Sequence, residues 1–220
     1  MARILSTKKL LPNHKQYLLN AGLSIIEADF ISIALKKPAA GAFNQNFIFT
    51  SSNAFKSFLA SEEAMKYAGR KIFCVGSKTK EVIEQAGFKV EACEDYAEEL
   101  AKVITESYRE GTFTFFSGSM RRDTLPEALK NADVDFNEIE VYDTVLTPHE
   151  IKAPLDGLLF FSPSGVESYL QKNEIKNETC FCIGTTTAAA LKGITVNLVT
   201  ASKATVENVI VQCINYYKNI

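Results

Sequence analysis

No pair of C-x₂-C motifs occurs in the 220 residues, and the five cysteines (Cys74, Cys93, Cys180, Cys182 and Cys213) are odd in number. Neither a disulfide framework nor a four-ligand zinc site is indicated. Cys180 and Cys182 flank Phe181, so a strand there would turn both thiols to one face, where burial is the expected role. A basic excess is also missing. The formal charge of −2 argues against a general nucleic-acid binder, though a local basic pocket is compatible with it. There are only two histidines, His14 and His149, so a Ser-His-Asp triad cannot be present in duplicate. The chain has no G-x-S-x-G elbow, no G-x-G-x-x-G and no G-x₄-G-K-[ST] spacing. No apolar run approaches the roughly 18 residues that span a bilayer. The opening residues Arg3-Ile4-Leu5-Ser6-Thr7-Lys8-Lys9 form no secretory apolar region, so a soluble, cytoplasmic protein is expected.

What is present is an ordinary globular balance, with 46% hydrophobic and 23% charged residues. The length suits one large α/β unit or two compact lobes. Apolar strand-like runs alternate with helical stretches. Strands are read at 4–5, 23–28, 30–35, 71–75, 88–92, 112–116, 134–145, 180–183 and 195–199. Helices are read at 13–20, with Tyr17 and Leu18 inward, from 52 to about 69, from the Gly76 turn to 86, and at 96–108. Further helices follow at 123–132, from Val166, from the Gly184 turn to 192, and from 204 to the end; 38–46 reads as loop. Such alternation argues for βαβ units and parallel sheets.

The chain also repeats itself. Phe49, Ser51, Ser57 and Leu59 match Phe160, Ser162, Ser168 and Leu170 at a constant spacing of 111 positions. Phe73-Cys74-Val75-Gly76-Ser77-Lys78-Thr79 matches Phe181-Cys182-Ile183-Gly184-Thr185-Thr186-Thr187 at 108. A weaker echo, again at 111, relates Ser6, Leu18, Asn20, Ala21 and Glu27 to Ser117, Leu129, Asn131, Ala132 and Glu138. Three echoes in consistent order favour an internal duplication.

The chemistry lies in the turns that follow the strands. Ser51 and Ser162 precede helices, and capping is a better reading than nucleophilic catalysis, since no base accompanies either. Helix starts rich in hydroxyl and N–H donors also bind anions. Gly76-Ser77-Lys78-Thr79 and Gly184-Thr185-Thr186-Thr187 lack phosphate-loop spacing and suit carboxylates better. Gly118 precedes Arg121 and Arg122, whose guanidinium groups can fork a carboxylate or stay solvated in a first helical turn. By itself Tyr142, between Val141 and Asp143, reads as half-buried strand filler. The residues alone lead to two α/β lobes with anion-friendly turns.

Six ordered motifs go further. They are Phe49-Thr50-Ser51-Ser52-Asn53-Ala54, Val75-Gly76-Ser77-Lys78-Thr79, Gly118 with Arg121, Arg122 and Leu125, Val141-Tyr142-Asp143-Thr144, Phe161-Ser162-Pro163-Ser164-Gly165, and Ile183-Gly184-Thr185-Thr186-Thr187-Ala188. With these the chain resembles the uroporphyrinogen-III synthase family over essentially its whole length. Departures are modest. The family often has proline where Ser52 and Thr185 stand, and arginine near Lys8.

The resemblance implies an α/β fold of two small parallel-sheet lobes joined by a two-stranded connector, with a cleft between them. One lobe would hold residues 1–33 and 149–220, the other 36–140, with 30–35 and 140–147 as connector. It implies a cyclising hydro-lyase without metal or cofactor, acting as a monomer on a linear tetrapyrrole with eight carboxylates. Hydroxymethylbilane would lose its terminal hydroxyl as water, and attack through a spiro intermediate would invert the last pyrrole ring before closure. Tyr142 would assist hydroxyl departure, as phenols remain protonated up to about pH 10. Ser51, Asn53, Gly76, Thr79, Gly118, Arg121, Arg122, Ser162, Ser164, Gly165, Thr186 and Thr187 would bind the carboxylates. Two rivals remain: a non-catalytic two-lobed anion-binding or sensor module, and a nucleotide-dependent α/β enzyme.

Overall fold

The computed structural model describes residues 1–38 and 43–218. In chain order its first strands are β1 (Arg3–Ser6), β2 (Ser24–Glu27), β3 (Ile31–Leu35), β4 (Asn46–Phe49), β5 (Lys71–Val75) and β6 (Val90–Glu94). They are followed by β7 (Phe113–Gly118), β8 (Phe136–Leu146), β9 (Gly157–Phe160), β10 (Thr179–Cys182) and β11 (Leu198–Thr200). The helices are α1 (Pro12–Asn20), α2 (Ser52–Leu59), α3 (Ser77–Gln85), α4 (Ala97–Ser107), α5 (Thr124–Asn131), α6 (Pro163–Leu170), α7 (Thr185–Ala189) and α8 (Val206–Lys218). The chain divides into two compact units, the first comprising Met1–Ser32 and Val145–Ile220 and the second Ile33–Thr144.

Unit 1 is built on a five-stranded sheet in the order β11-β10-β9-β1-β2, and every neighbouring pair is parallel. Unit 2 is built on the order β3-β8-β7-β4-β5-β6, with the pairs from β8 to β6 parallel. Edge strand β3 runs against β8. Lys36 N donates to Val141 O (2.7 Å) and Thr147 N to Phe30 O (2.9 Å), so partner numbers rise on one strand as they fall on the other.

The repeat is written into this topology. Taken from β11 and from β6, the orders are β11-β10-β9-β1-β2 and β6-β5-β4-β7-β8. Strands carrying matched motifs occupy matched places: β9 with β4, β10 with β5, and β1 with β7. In unit 2 the chain runs straight from β4 to β8. In unit 1 the counterparts of β7 and β8 come first, so the repeat is out of phase with the units.

Parallel sheets covered by helices on both faces need apolar residues at consecutive positions. β4 supplies them: Phe47 and Phe49 enter one core cluster and Ile48 the other. In unit 1, Leu158, Phe160, Cys180 and Cys182 face one cluster, while Leu159 and Phe181 face the other. Cys180 and Cys182 thus lie on one face and are buried and free, and burial pushes both thiols up to about 12. Phenylalanine carries the unit 2 core, where Phe49 stacks on Phe116 with centroids 4.8 Å apart, Phe47 meets the pair edge-on and Phe58 packs against it tilted.

Several sequence expectations need correction. Tyr17 is 57% exposed, because α1 turns His14 and Leu18 inward and Tyr17 sits beside that stripe. The helix expected to continue to about residue 69 stops at Leu59 and resumes as a 3₁₀ turn at Ala64–Tyr67. Ser61 Oγ accepts from Glu63 N at 3.4 Å, and such local bonds compete with the helical ladder. Phe88 belongs to the end of α3 rather than to a strand. Gly87 adopts φ +85° and Phe88 N bonds Ile83 O (3.2 Å), a glycine-terminated helix stop that delays β6 to Val90. A like stop at Gly193 (φ +81°) delays β11 to Leu198. Thr185, Thr186 and Thr187 form the first turn of α7 rather than a loop before it. The loop read over 38–46 and the end of the last helix lie partly outside the described residues.

The matched pair Ser57 and Ser168 differs in an instructive way. Ser57 Oγ lies 2.7 Å from Lys36 O and 2.5 Å from Val141 O, tying β3 and β8 to α2. Ser168 Oγ is fully buried with no partner. Ser57→Ala is therefore expected to lower unfolding free energy by about 1–2 kcal/mol, whereas Ser168→Ala leaves it unchanged or raises it. Urea midpoints of the two variants measure this, and an equal loss at both positions would contradict it.

Candidate functional site

Parallel pairing brings the carboxyl ends of neighbouring strands to one rim of each sheet. In unit 2, Phe49 pairs with Cys74 and Phe116, Ser117 with Glu140, and Gly118 with Tyr142. Ser51, Gly76, Gly118 and Tyr142 therefore follow one another along this rim. In unit 1, Ser6 pairs with Leu159 and Phe160 with Cys182, so Thr7, Ser162 and Gly184 follow along its own rim.

Ser51 is the N-cap of α2, its Oγ accepting from Asn53 N at 3.1 Å. Ser162 caps α6 in the same way through Gly165 N (3.0 Å), and its Oγ also lies 3.0 Å from Ser164 Oγ. As caps, both hydroxyls use acceptor capacity; the Ser51 proton stays available to an anion, as does one of the two protons of the Ser162–Ser164 pair. Gly165 is buried, and a Cβ there would lie 3.3 Å from Ser162 Oγ and 3.6 Å from Thr7 Oγ1. Thr7 hangs on Leu159 O (2.8 Å), and Lys8 Nζ stands 5.3 Å from the Phe161 ring centroid. These two residues belong to the unit 1 rim, although reasoning from the Ser162 turn alone left them out. The Ser6 to Ser117 echo is the signal that pointed there.

The two matched glycine turns differ. Gly76 adopts φ +86°, which disfavours any side chain, and opens α3. Gly184 is extended at φ −172°, a conformation open to any residue. Thr79 and Thr187 are turned inward, at 5% and 1% exposure, with N–H groups donating to Gly76 O (3.0 Å) and Gly184 O (3.1 Å). Thr186 and Lys78 are exposed on the first turns of their helices. At these turns the surface thus carries N–H groups, Thr186 and Lys78 rather than the inner threonine hydroxyls.

The densest arrangement surrounds Tyr142. A Cβ on Gly118 would lie 2.2 Å from Tyr142 Cζ, so the phenol ring rests directly against the glycine. A register shift between Ser117 and Gly118 makes this approach. Ser119 then holds both sides of the tyrosine, its N–H donating to Tyr142 O (3.0 Å) and its Oγ accepting from Thr144 N (3.1 Å). The Tyr142 hydroxyl has no hydrogen-bond partner among the described residues. Half-buried filler is therefore an incomplete description, because the ring is seated and its polar end is open.

Arg121 and Arg122 part company. Arg121 forks Glu138, with Nε–Oε1 at 2.5 Å and Nη2–Oε2 at 2.9 Å, and also meets Asp123. Glu138 and then Asp123 push the guanidinium pKa up. Burial raises the Glu138 carboxyl, but hydrogen bonds from Arg121 and Ser117 outweigh it and hold it below 4.5. Arg122 is exposed and without an ion pair among the described residues. Both histidines are engaged elsewhere, His14 Nε2 with Glu207 Oε1 (2.8 Å) and His149 Nε2 with Asp29 O (3.0 Å). Among the described residues no three His, Cys, Asp or Glu side chains group as metal ligands, and no helix is long and apolar enough to cross a membrane.

A family model described as Uroporphyrinogen-III synthase HemD matches residues 14–210. The chain belongs to the uroporphyrinogen-III synthase family. A uroporphyrinogen-III synthase of Chlorobaculum parvum is 26% identical, with 69% of this chain and 71% of that protein covered. The fold is similar to that of uroporphyrinogen-III synthetase from Helicobacter pylori, with TM-score 0.75, 18% identity and 98% and 100% of the two chains covered. It is also similar to a mutant uroporphyrinogen III synthase from Thermus thermophilus, with TM-score 0.64, 14% identity and 100% and 99% covered. Family members are cyclising hydro-lyases of tetrapyrrole biosynthesis.

Two outcomes test this geometry. Gly118→Ala is expected to stay folded, losing on the order of 1–3 kcal/mol, while the Tyr142 ring is displaced; near-ultraviolet circular dichroism and urea unfolding read the two effects. The Glu138–Arg121 pair predicts a pH dependence as well. A carboxyl depressed on folding stabilises above its unfolded pKa, and that stability is lost as pH falls through the folded value. The stability gap between the native chain and Glu138→Gln should be widest near neutrality and narrow as pH falls below 4.5. A gap that is constant with pH would refute it.

Proposed function

We propose that this chain closes hydroxymethylbilane to uroporphyrinogen III, with loss of water and inversion of the terminal pyrrole ring. The family match over residues 14–210 is the observation that carries the reading. The sensor-module rival shares anion-friendly turns, but the family match favours the synthase, and the nucleotide enzyme lacks a phosphate loop.

In this reading the acetate and propionate groups of a linear tetrapyrrole are taken up along the strand-end rims of both units. On the unit 1 rim the donors are Ser162, Ser164 and the backbone at Gly165, with Thr186, while Thr187 is turned inward beneath its turn. On the unit 2 rim they are Ser51, Asn53, the Gly76 turn, the backbone at Gly118, and Arg122, with Thr79 turned inward beneath its turn. Arg121 contributes by fixing the turn rather than by meeting a carboxylate of the substrate, as its fork is held by Glu138 and Asp123. Tyr142 donates its phenolic proton toward the terminal hydroxyl as that group leaves as water, aided by the open position of its own hydroxyl. The remaining barrier reduction comes from holding the two chain ends together. No cofactor takes part, and the protein works as a cytoplasmic monomer.

Purified protein supplied with hydroxymethylbilane should yield uroporphyrin III after oxidation. Isomer I alone, the product formed without enzyme, would sink the assignment. Tyr142→Phe should lower kcat by about 10- to 100-fold without abolishing turnover. Thr186→Val should raise KM and leave kcat unchanged, as expected for binding equal in ground and transition states.

A further inference from the structure

Unit 2 carries two thiols that the proposed synthase chemistry does not use. Cys74 on β5 and Cys93 on β6 are direct partners in neighbouring parallel strands. Both side chains project to the same face, Cys74 within the cluster formed with Phe55, Ile83 and Phe88, and Cys93 packed against it. Neighbouring strands lie about 4.8 Å apart, inside the roughly 4.4–6.8 Å that separates the Cα atoms of a disulfide. Cys93 is half-buried on the edge strand of the sheet, whereas Cys74, Cys180, Cys182 and Cys213 are buried. One thiol of the pair therefore meets solvent and the other waits behind it. Burial first, and Cys93 beside it second, push the Cys74 thiol up, so Cys74 is the less reactive of the two and Cys93 is the thiol that meets peroxide first.

We infer that Cys74 and Cys93 are a reversible dithiol–disulfide site that responds to peroxide. The Cys93 thiolate attacks one peroxide oxygen, breaking the O–O bond and giving a sulfenic acid and, after proton uptake, water. The Cys74 sulfur then attacks the Cys93 sulfur. Its proton leaves with the sulfenic hydroxyl as a second water, so two thiols are oxidised and one peroxide is reduced. The bond would close next to the candidate site. The following pair is Val75 with Glu94, and Gly76 N donates to Glu94 O at 2.8 Å, so joining β5 to β6 bears directly on the Gly76 turn. This consequence rests on the reading of that turn as a carboxylate site.

The full chain is treated with hydrogen peroxide, digested without reduction and analysed by mass spectrometry. Expected is one linked peptide pair joining Cys74 to Cys93, with two of the five thiols consumed and both restored by dithiothreitol. Cys93→Ser, changed at the half-exposed edge, should give no linked pair and keep Cys74 reduced. Cys93 driven to the sulfinic acid while Cys74 stays free would overturn the inference. With hydroxymethylbilane, the oxidised form should show a KM raised several-fold over the reduced form. An unchanged KM in a fully linked sample would refute the effect on the turn. A reduced protein without synthase activity would instead remove the function reading, leaving the mass result to stand by itself.

Discussion

The constraint beneath this structure is parallel strand pairing. Each pairing sends the next strand back through a helix, and helices on both faces leave neither sheet face to solvent. Phe47, Ile48 and Phe49 are all fully buried because the strand has no wet side. Polar and cationic groups are thereby displaced to the strand ends. The carboxyl ends receive the helix N-termini, with their unpaired N–H groups and positive dipole ends. A rim suited to carboxylates follows from the way the core is buried, before any single residue is chosen for chemistry.

Against that uniform background the two units have specialised. Both rims cap their central helices with serine and both follow the next strand with a glycine turn. Unit 2 seats Tyr142 on Gly118 and braces it with Ser119, while a glutamate takes up the neighbouring arginine fork. Glu138 sits at 28% side-chain exposure and Arg121 at 26%, so the pair is shielded enough to be held yet is not a buried charge. Its chemical effect is to spend one guanidinium on structure and leave Arg122 as the exposed cation of the turn. The orphaned hydroxyl of Ser168 is the residue of the same divergence, since unit 1 keeps the serine without the strand carbonyls that Ser57 meets.

Much of this was legible from the chain alone. Apolar runs alternating with helical spacing give parallel α/β units, and the echoes of Ser51 with Ser162 and of Ser6 with Ser117 pair strands that occupy equivalent places. The Ser51 and Ser162 caps follow from local chemistry, because a serine before a helix satisfies N–H groups two or three residues ahead. Errors gathered where local signals compete. Phe88 looks like the start of a strand by its apolarity, yet it ends a helix because Gly87 can adopt a positive φ. Tyr17 has the character of a core residue, but its angular position on α1 was settled by the packing of His14 and Leu18.

Sequence by itself therefore determined the family, the parallel α/β character, the duplication and which turns carry hydroxyls, glycines and cations, because these depend on residue order and local backbone preference. Tertiary structure decided which of those groups stay available. It turned Thr79 and Thr187 inward, bound Arg121 to a glutamate 17 positions away, set Tyr142 against Gly118 and placed Cys93 beside Cys74. Each of the last three is a contact between strands or between a turn and a distant strand. Its sign depends on register, and register is fixed only when the whole sheet is assembled.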